Sequence, residues 1–160
     1  MTFRIYHGDT IVAEGESPLA ITGLEPNTSV SEGEYQATRV EGERESARVD
    51  IPAFTTLPIP VTGVSVTPRT STAEAGTAGN RQLTVVIEPP NATNQNVTFT
   101  ITPSAPGLSV SDTGLITWTE ETPAGVYVTE VKTEDGGFTA THTLTLTEPE
   151  EPPEDPENGD

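Results

Sequence analysis

Two histidines and an Asp-Thr-Gly triplet are the residues of this sequence whose types could support catalysis or metal binding. His7 and His142 lie far apart in the chain, and neither has the partner residues that a metal or a general base needs. The triplet at 112–114 matches the short signature of aspartic proteases, but that chemistry needs two aspartates and a second such segment is missing. The absence of cysteine excludes thiolate sites. We therefore predict no catalytic residue, no bound metal and no cofactor.

Acidic turns and scarce aromatic residues are the remaining candidate sites. The segments 41–45 ("EGERE") and 133–137 ("TEDGG") could attract calcium, but calcium needs about six to eight converging oxygens, so solvated hairpins are the favoured interpretation. Trp118 and Tyr127 could stack on a sugar or contact a partner. Because aromatic residues make up only 5% of the chain, packing in a core or hinge is favoured for both. We keep Trp118 and Tyr127 as candidate partner-contact residues.

The net charge bounds the class of partner. It is −18 at neutral pH, which opposes binding to nucleic acid and to anionic membrane surfaces. No apolar run approaches the roughly 20 residues that span a bilayer. The N-terminal residues lack the basic region and apolar run of a signal peptide, so we expect synthesis in a cytoplasm.

Three glycosylation motifs point the other way, towards secretion. They begin at Asn27, Asn91 and Asn96. The last two lie in "PPNATNQNVTFTIT" (89–102), which is also a turn that leads into an alternating strand. Asn is favoured in such turns because it tolerates left-handed geometry and bonds its own backbone. With no export signal, we predict that Asn91 and Asn96 carry no glycan, which mass spectrometry of native material would check.

The composition favours strands, because Thr, Val and Ile are frequent and helical spacing of Leu and Ala is absent. The first 57 residues predict a hairpin, "TFRIYHGDTIVAEGE", followed by the strands "LAITGL", "EYQATRVEG" and "SARVDIPAFTT". Two prolines in "LPIP" then place a linker at 58–60.

A second set of strands fills residues 61–147, with turns at roughly the 8–12-residue spacing of a sandwich. They are "VTGVSVTP", "RQLTVVIEPP", "NVTFTITP", "GLSVSDTGLITWTEE", "GVYVTEVKTEDGG" and "FTATHTLTLT". Residues 148–160 carry seven acids and no apolar residue, so we predict a disordered acidic tail. The predicted fold class is all-β: two small Ig-like β-sandwich modules in tandem, the first incomplete.

Residues 61–147 resemble the bacterial Ig-like group 2 domain. The residues that carry this resemblance are "VTGVSVTP", "LTVVIEPPNATNQNVTFTIT", "GLSVSDTGLITW" and "GGFTATHTLTLT", in the order of the family. Phe99 stands where the family often has Trp, and the resemblance implies that it plugs the core. Trp118 stands where a small residue is expected, which implies a domain contact or a partner surface.

Residues 1–57 resemble a fibronectin type III domain. "FRIYHGDTIVAEG" is similar to its central hairpin, and "LAITGLEPNTSVSEGEYQATRVEG" and "ESARVDIPAFTT" are similar to its later strands. Roughly the first two strands of that family have no counterpart here. A sheet without those strands exposes unpaired backbone and apolar side chains. We therefore expect residues 1–57 to be completed by another chain.

These resemblances imply binding or display and no enzymatic activity. Modules of both kinds are common on tailed-phage particles, so we expect a virion-surface protein, made in the host cytoplasm, that decorates the head. In this interpretation 1–57 dock on the capsid, copies associate on the particle, and 61–147 project outward and contact cell-surface carbohydrate weakly. The alternatives are a tail-associated accessory protein and a spacer or adhesion module of a bacterial surface protein.

Overall fold

The structure is a computed structural model that describes residues 1–150 of the chain. Within those residues every regular element is a β-strand, as the composition predicts. They contain no helix long and apolar enough to span a bilayer. The chain divides into two compact units, one from Met1 to Ile59 and one from Pro60 onward. This division falls within the segment 58–60 that the prolines predict as a linker.

The first unit is built around one antiparallel sheet. Its strands are β1 (Thr2–His7), β2 (Thr10–Glu16), β3 (Ser29–Val30), β4 (Tyr35–Glu41), β5 (Arg44–Glu45), β6 (Val49–Asp50) and β7 (Phe54–Thr55). The sheet order is β2-β1-β4-β5, β6 also pairs with β4, and β3 pairs separately with β7. The predicted hairpin is confirmed as β1 and β2, with Gly8 at φ 60° in the turn.

One face of this sheet carries the core of the first unit. Ile5 and Tyr35 are buried there together with Val30. The chain after β2 lies over the same face. Its apolar side chains Leu19, Ile21 and Leu24 pack against the core but stay partly exposed.

Two predicted strands of the first unit are wrong. Residues 19–24, "LAITGL", form no strand, although Leu19, Ile21 and Leu24 pack against the core. "SARVDIPAFTT" forms only the two short strands β6 and β7, because Pro52 between them has no N–H to give to a ladder. In both places the sequence predicted more strand pairing than the structure contains.

The second unit contains longer strands. They are β8 (Gly63–Thr67), β9 (Thr70–Glu74), β10 (Gly79–Gln82), β11 (Thr84–Glu88), β12 (Val97–Thr102), β13 (Ser109–Val110), β14 (Leu115–Trp118), β15 (Gly125–Thr133) and β16 (Thr139–Thr147). One sheet has the order β12-β15-β16-β9, with β9 parallel to β16 and the other pairs antiparallel. The facing strands are β8 with β11, and β10 with β14 and β13.

The core of the second unit lies between these two layers. Val66 and Ile116 enter it from the β8 and β14 side, and Val131 and Leu144 enter it from β15 and β16. Inward residues of β15 and β16 alternate with exposed ones along both strands. This arrangement is an Ig-like sandwich, in which the four-stranded sheet packs over one core against the β8–β11 pair and the three-stranded sheet β10-β14-β13.

In the second unit strand β9 lies outside the predicted strands, and the structure describes only the first residues of the predicted tail. Strand β9 was not predicted, because "TSTAE" alternates between Ser, Ala and Thr, whose side chains differ little in hydrophobicity. Residues 148–150 follow the last strand with exposed side chains and no regular structure. The rest of the predicted disordered tail, 151–160, lies outside the described residues.

Candidate binding surfaces

Trp118 lies in the core of the second unit, with a relative exposure of 6%. It faces Gly79 across the β10–β14 pair, and a Cβ atom at Gly79 would lie 2.5 Å from the indole ring. Its Nε1–H is buried and finds no acceptor among residues 1–150. The prediction of a partner-contact role for Trp118 is therefore wrong, since a buried ring that packs on a glycine backbone offers no surface to a partner.

Tyr127 is also buried, with 4% exposure, at the start of β15. Its hydroxyl donates to the backbone carbonyl of Pro123, four residues upstream, at 2.8 Å. This is the geometry of the tyrosine corner of Ig-like sandwiches, in which a Tyr near the start of the sixth strand bonds back to the preceding corner. Tyr127 is thus a structural residue, and its predicted role as a partner contact is also corrected.

Tyr127→Phe tests the tyrosine corner. We expect it to lower the free energy of unfolding of the second unit by about 1–3 kcal/mol, because the Pro123 carbonyl loses its partner while the ring is kept. Chemical denaturation followed by Trp118 fluorescence measures this unit directly, since the chain has one tryptophan. A loss below about 0.5 kcal/mol would show that the bond does not stabilise the corner.

Phe99, the predicted core plug, is partly buried on β12 and packs against the core cluster. Its ring lies beneath Gly114, where a Cβ atom would come within 2.9 Å of it. Gly114 has φ +77°, so both the turn and this contact need glycine. The 112–114 triplet therefore belongs to the turn between β13 and β14, which also holds Phe99 in place.

The two histidines have different surroundings. His142 is fully buried, and its ring nitrogens bond to Ser71 and to the Pro68 carbonyl. His7 stacks on Tyr35 at the surface of the first unit, with Glu34 3.8 Å away. No group of three or more His, Cys, Asp or Glu residues within 1–150 could hold a metal ion.

The glycosylation motif at Asn91 lies in the loop before β12, and the motif at Asn96 begins one residue before β12 and includes its first two residues. Nδ2 of Asn96 donates to Glu134 at 3.0 Å, and Nδ2 of Asn94 donates to the same carboxylate at 3.2 Å. These bonds, that of Asn96 first, lower the pKa of Glu134. The amide nitrogen that a glycan would use at Asn96 is therefore occupied by a carboxylate.

The core face of the first unit is covered over only part of its area. Residues 19–24 cover part of it without regular structure, with Gly23 in a bend at φ 80°, and none of their backbone groups pairs with the backbone of another part of 1–150. Beyond this cover a shallow cavity of about 170 Å³ opens over Phe3, Ala37 and Val49. Val49 is 65% exposed, although it lies beside Ala37 in the ladder. We name this region, residues 19–24 with Phe3, Ala37 and Val49, the open core face.

The opposite face of the same sheet carries a network of charged residues. Arg4 pairs with Glu14 and Glu45, both at 3.0 Å. Glu45 also accepts from the hydroxyls of Thr38 and of Tyr6, the latter at 2.6 Å. These bonds, that of Thr38 first, lower the pKa of Glu45, and the bond to Glu45 raises the pKa of Tyr6. The network therefore occupies the face of the sheet opposite the buried Ile5 and Tyr35.

The lowered pKa of Glu45 predicts a pH dependence. A carboxyl whose pKa is lower in the folded state contributes stability above its unfolded pKa, near 4.5, and loses it as pH falls through the folded value. We expect Glu45→Gln to melt at a lower temperature than the wild type at pH 7, with a difference that shrinks below about pH 4.5. Glu43→Gln, in the adjacent turn, is the charge-matched control. Equal pH profiles for the two variants would contradict the role of the network.

Sequence reasoning missed the network and His142, although both had a signal. The alternation of β1 places Arg4 and Tyr6 on one face, and Thr38 is opposite Arg4 in the register of β4. In "THTLTLT" the same alternation places His142 with Leu144 and Leu146 on the inward face. The signal for the network depends on knowing that β1 pairs with β4, which the sequence alone did not provide, whereas the signal for His142 lies within one strand.

These two units define a tandem Ig-like domain protein of the all-β class. Solved structures similar to this chain are of that class. Drosophila N-cadherin EC1-4 has a TM-score of 0.50 at 10% identity, over 92% of this chain and 41% of that one, so this chain spans about two fifths of its length. Fibronectin(III)-like modules of Clostridium thermocellum CbhA give 0.33 at 16% identity, over 92% of this chain and 78% of that one. The eight N-terminal Ig domains of Down Syndrome Cell Adhesion Molecule have a TM-score of 0.41 at 15% identity, over 94% of this chain and 22% of that one.

At such identities these likenesses show the fold alone. No family model matches the chain, and no curated protein does. The Ig-like fold is therefore confirmed, while the resemblance to the two particular families stays a prediction from the residues.

Proposed function

We propose that this protein is a non-enzymatic structural protein of a tailed bacteriophage particle, made in the host cytoplasm and placed on the head as a decoration protein. The first unit docks on the capsid through the open core face, and the second unit is displayed. The observation that carries this proposal is the open core face, which combines a segment without backbone partners and an apolar cavity beside the exposed Val49.

Strand addition is the docking mode that fits this face. An extended capsid segment beside residues 19–24 would give their N–H and C=O groups partners, and alternate apolar side chains would fill the cavity over Val49. The burial of apolar surface supplies the free energy, and the ladder fixes the register. The acidic charge of the chain supports solubility and display, since it opposes adhesion to nucleic acid and to anionic membranes.

A contact with cell-surface carbohydrate also stays a proposal. It cannot use Trp118 or Tyr127, because both rings are in the core of the second unit. An array of glycans probed with intact particles and with the free protein is the measurement that would detect it.

Electron microscopy of particles labelled with antibody to this protein tests the location. Label on heads is the expected result. Label on tails would replace the head proposal by the tail-associated alternative. Particles without label would overturn the virion proposal and leave the spacer or adhesion module of a bacterial surface protein.

Val49→Lys tests the docking face. A lysine at this exposed position places a charge in the apolar cavity without disturbing the buried core, so we expect fewer copies on each particle. Val126→Lys is the matched control, since Val126 is 55% exposed on β15 of the second unit. Equal copy numbers for the wild type and both variants, measured by quantitative mass spectrometry of particles, would exclude docking through the open core face.

A further inference from the structure

Strand β12 is an outer strand of the four-stranded sheet of the second unit, paired on one side with β15. The N–H of Glu134 donates to the carbonyl of Asn96 at 3.0 Å, which fixes the phase of this antiparallel ladder. Residues 98, 100 and 102 therefore direct their backbone groups to β15. Because backbone direction alternates, Val97, Phe99 and Ile101 direct their N–H and C=O groups away from it, to the open edge. No residue within 1–150 pairs with these groups.

The inward side chains of β12 are also incompletely covered. Val97, Phe99 and Ile101 are partly exposed, whereas the inward residues of the neighbouring strand β15, such as Val131, are buried. This difference arises because β12 has a neighbouring strand on one side only. The edge thus leaves both backbone and apolar surface without partners.

Outer strands of natural sheets usually carry a charge, a proline or a bulge that prevents pairing with another chain. Strand β12, "VTFTIT", has none of these, and its register with β15 is continuous. The outer strand β2 of the first unit, in contrast, carries Glu14 and Glu16 and a register shift. Residues 89–111, which contain β12, include no charged residue. In a chain with a charge of −18, this is an edge where two copies meet without direct repulsion.

We propose that two copies of this protein associate through β12, antiparallel about a twofold axis, and join their four-stranded sheets into one. The register follows from the backbone directions. Phe99 pairs with its own counterpart, and Val97 pairs with Ile101 of the other copy, which gives six backbone hydrogen bonds. Thr98 then lies directly opposite Thr100 of the other copy on the outer face, a pairing that sheets favour. The partner is a second copy because this register makes an uncharged strand complementary to itself.

The interface is small, so association is weak in dilute solution and depends on concentration. The net charge of the rest of the chain opposes it at long range, so added salt strengthens it. This inference concerns the second unit and does not depend on the proposed docking of the first, so either can fail alone.

Analytical ultracentrifugation of the full chain, up to about 1 mM and with added salt, measures this association. We expect a monomer–dimer equilibrium that Thr98→Lys with Thr100→Lys weakens at least tenfold, because each new lysine lies opposite another. The control is Thr139→Lys with Thr141→Lys on β16. Thr98 and Thr139 both flank Lys132, and Thr100 and Thr141 both flank Glu130, so the two pairs have matched surroundings on one sheet face.

A monomer at every concentration would overturn the proposal, as would equal weakening by the control pair. Weakening by Val49→Lys instead would place the association on the open core face of the first unit and also overturn it. Thermal melts of each variant check that the second unit stays folded.

Disulfide trapping tests the register independently of charge, since the protein has no cysteine of its own. A mixture of Thr98→Cys and Thr100→Cys chains should form cross-linked dimers several-fold faster than either alone, because these two positions face each other across the axis. A Thr139→Cys and Thr141→Cys mixture is the control. Equal rates in the three β12 samples would exclude this register.

Discussion

Trp118→Ala is expected to lower the free energy of unfolding of the second unit by about 3–5 kcal/mol. The indole ring is buried and fills the space between β14 and the backbone of Gly79, where a residue with a side chain would clash. Truncation to alanine leaves a cavity there, because the rigid β10–β14 ladder prevents the two strands from collapsing into it. Denaturant unfolding followed by far-UV circular dichroism measures the loss, since the variant has no tryptophan.

Trp118→Phe is the control that separates the ring from its N–H group. The Nε1–H has no acceptor among the described residues, so its removal costs no hydrogen bond. We expect phenylalanine to cost less than half of the alanine loss, through the smaller ring alone. If both variants cost less than about 1 kcal/mol, the ring does not support the core and its assignment to the core is wrong.

Trp118 shows which sequence signals were informative at the candidate site. The scarcity of aromatic residues favoured packing in a core, which its burial bears out, whereas its unexpected place in the Ig-like pattern kept a partner surface as a candidate. The alternation of "LITW" gave the better signal, because it places Trp118 on the same face as Ile116, which is fully buried. Once one residue of a strand is known to point inward, the residue two positions on points inward as well.

The fold could be predicted where pairing is local. The hairpin β1–β2 and the hairpin β15–β16 are each joined by a short turn, so alternation and turn residues together predicted the strands of both. In contrast, residues 19–24 have the alternation of a strand and no neighbour to pair with. A strand is a property of two segments, and the sequence of one segment cannot show that its partner is present.

The sequence analysis missed strand β9 for a related reason. It pairs in parallel with β16, from which it is separated by more than sixty residues, and its side chains give no hydrophobic pattern. The contact that places it lies just before it, at Pro68 and Arg69, where the chain passes from the layer of β8 to that of β16 and the N–H of Thr143 donates to the carbonyl of Arg69. Long-range pairing of this kind depends on the whole fold and is not visible in a local window.

His142→Ala is expected to cost the second unit about 3–5 kcal/mol. The ring is fully buried on β16, and it contacts both the residue before β9, Pro68, and a residue within β9, Ser71. The Pro68 carbonyl can only accept, so Nδ1 donates to it at 2.7 Å, and Nε2 is left to accept from the Ser71 hydroxyl at 2.9 Å. Alanine removes both bonds, leaves the partly buried Pro68 carbonyl and Ser71 hydroxyl without this partner and opens a cavity in the space of the imidazole ring.

The measurement is denaturant unfolding followed by Trp118 fluorescence, which reports on the same unit. Thr141→Ala is the control on β16, since Thr141 is exposed one residue away and we expect it to cost less than about 1 kcal/mol. His7→Ala, an exposed histidine in the first unit, should leave the fluorescence transition unchanged. If His142→Ala behaved like these controls, the contacts to Pro68 and Ser71 would not hold β9 against β16. A loss of the expected size would instead show that His142 holds β9, the strand that was not predicted from the sequence, against β16.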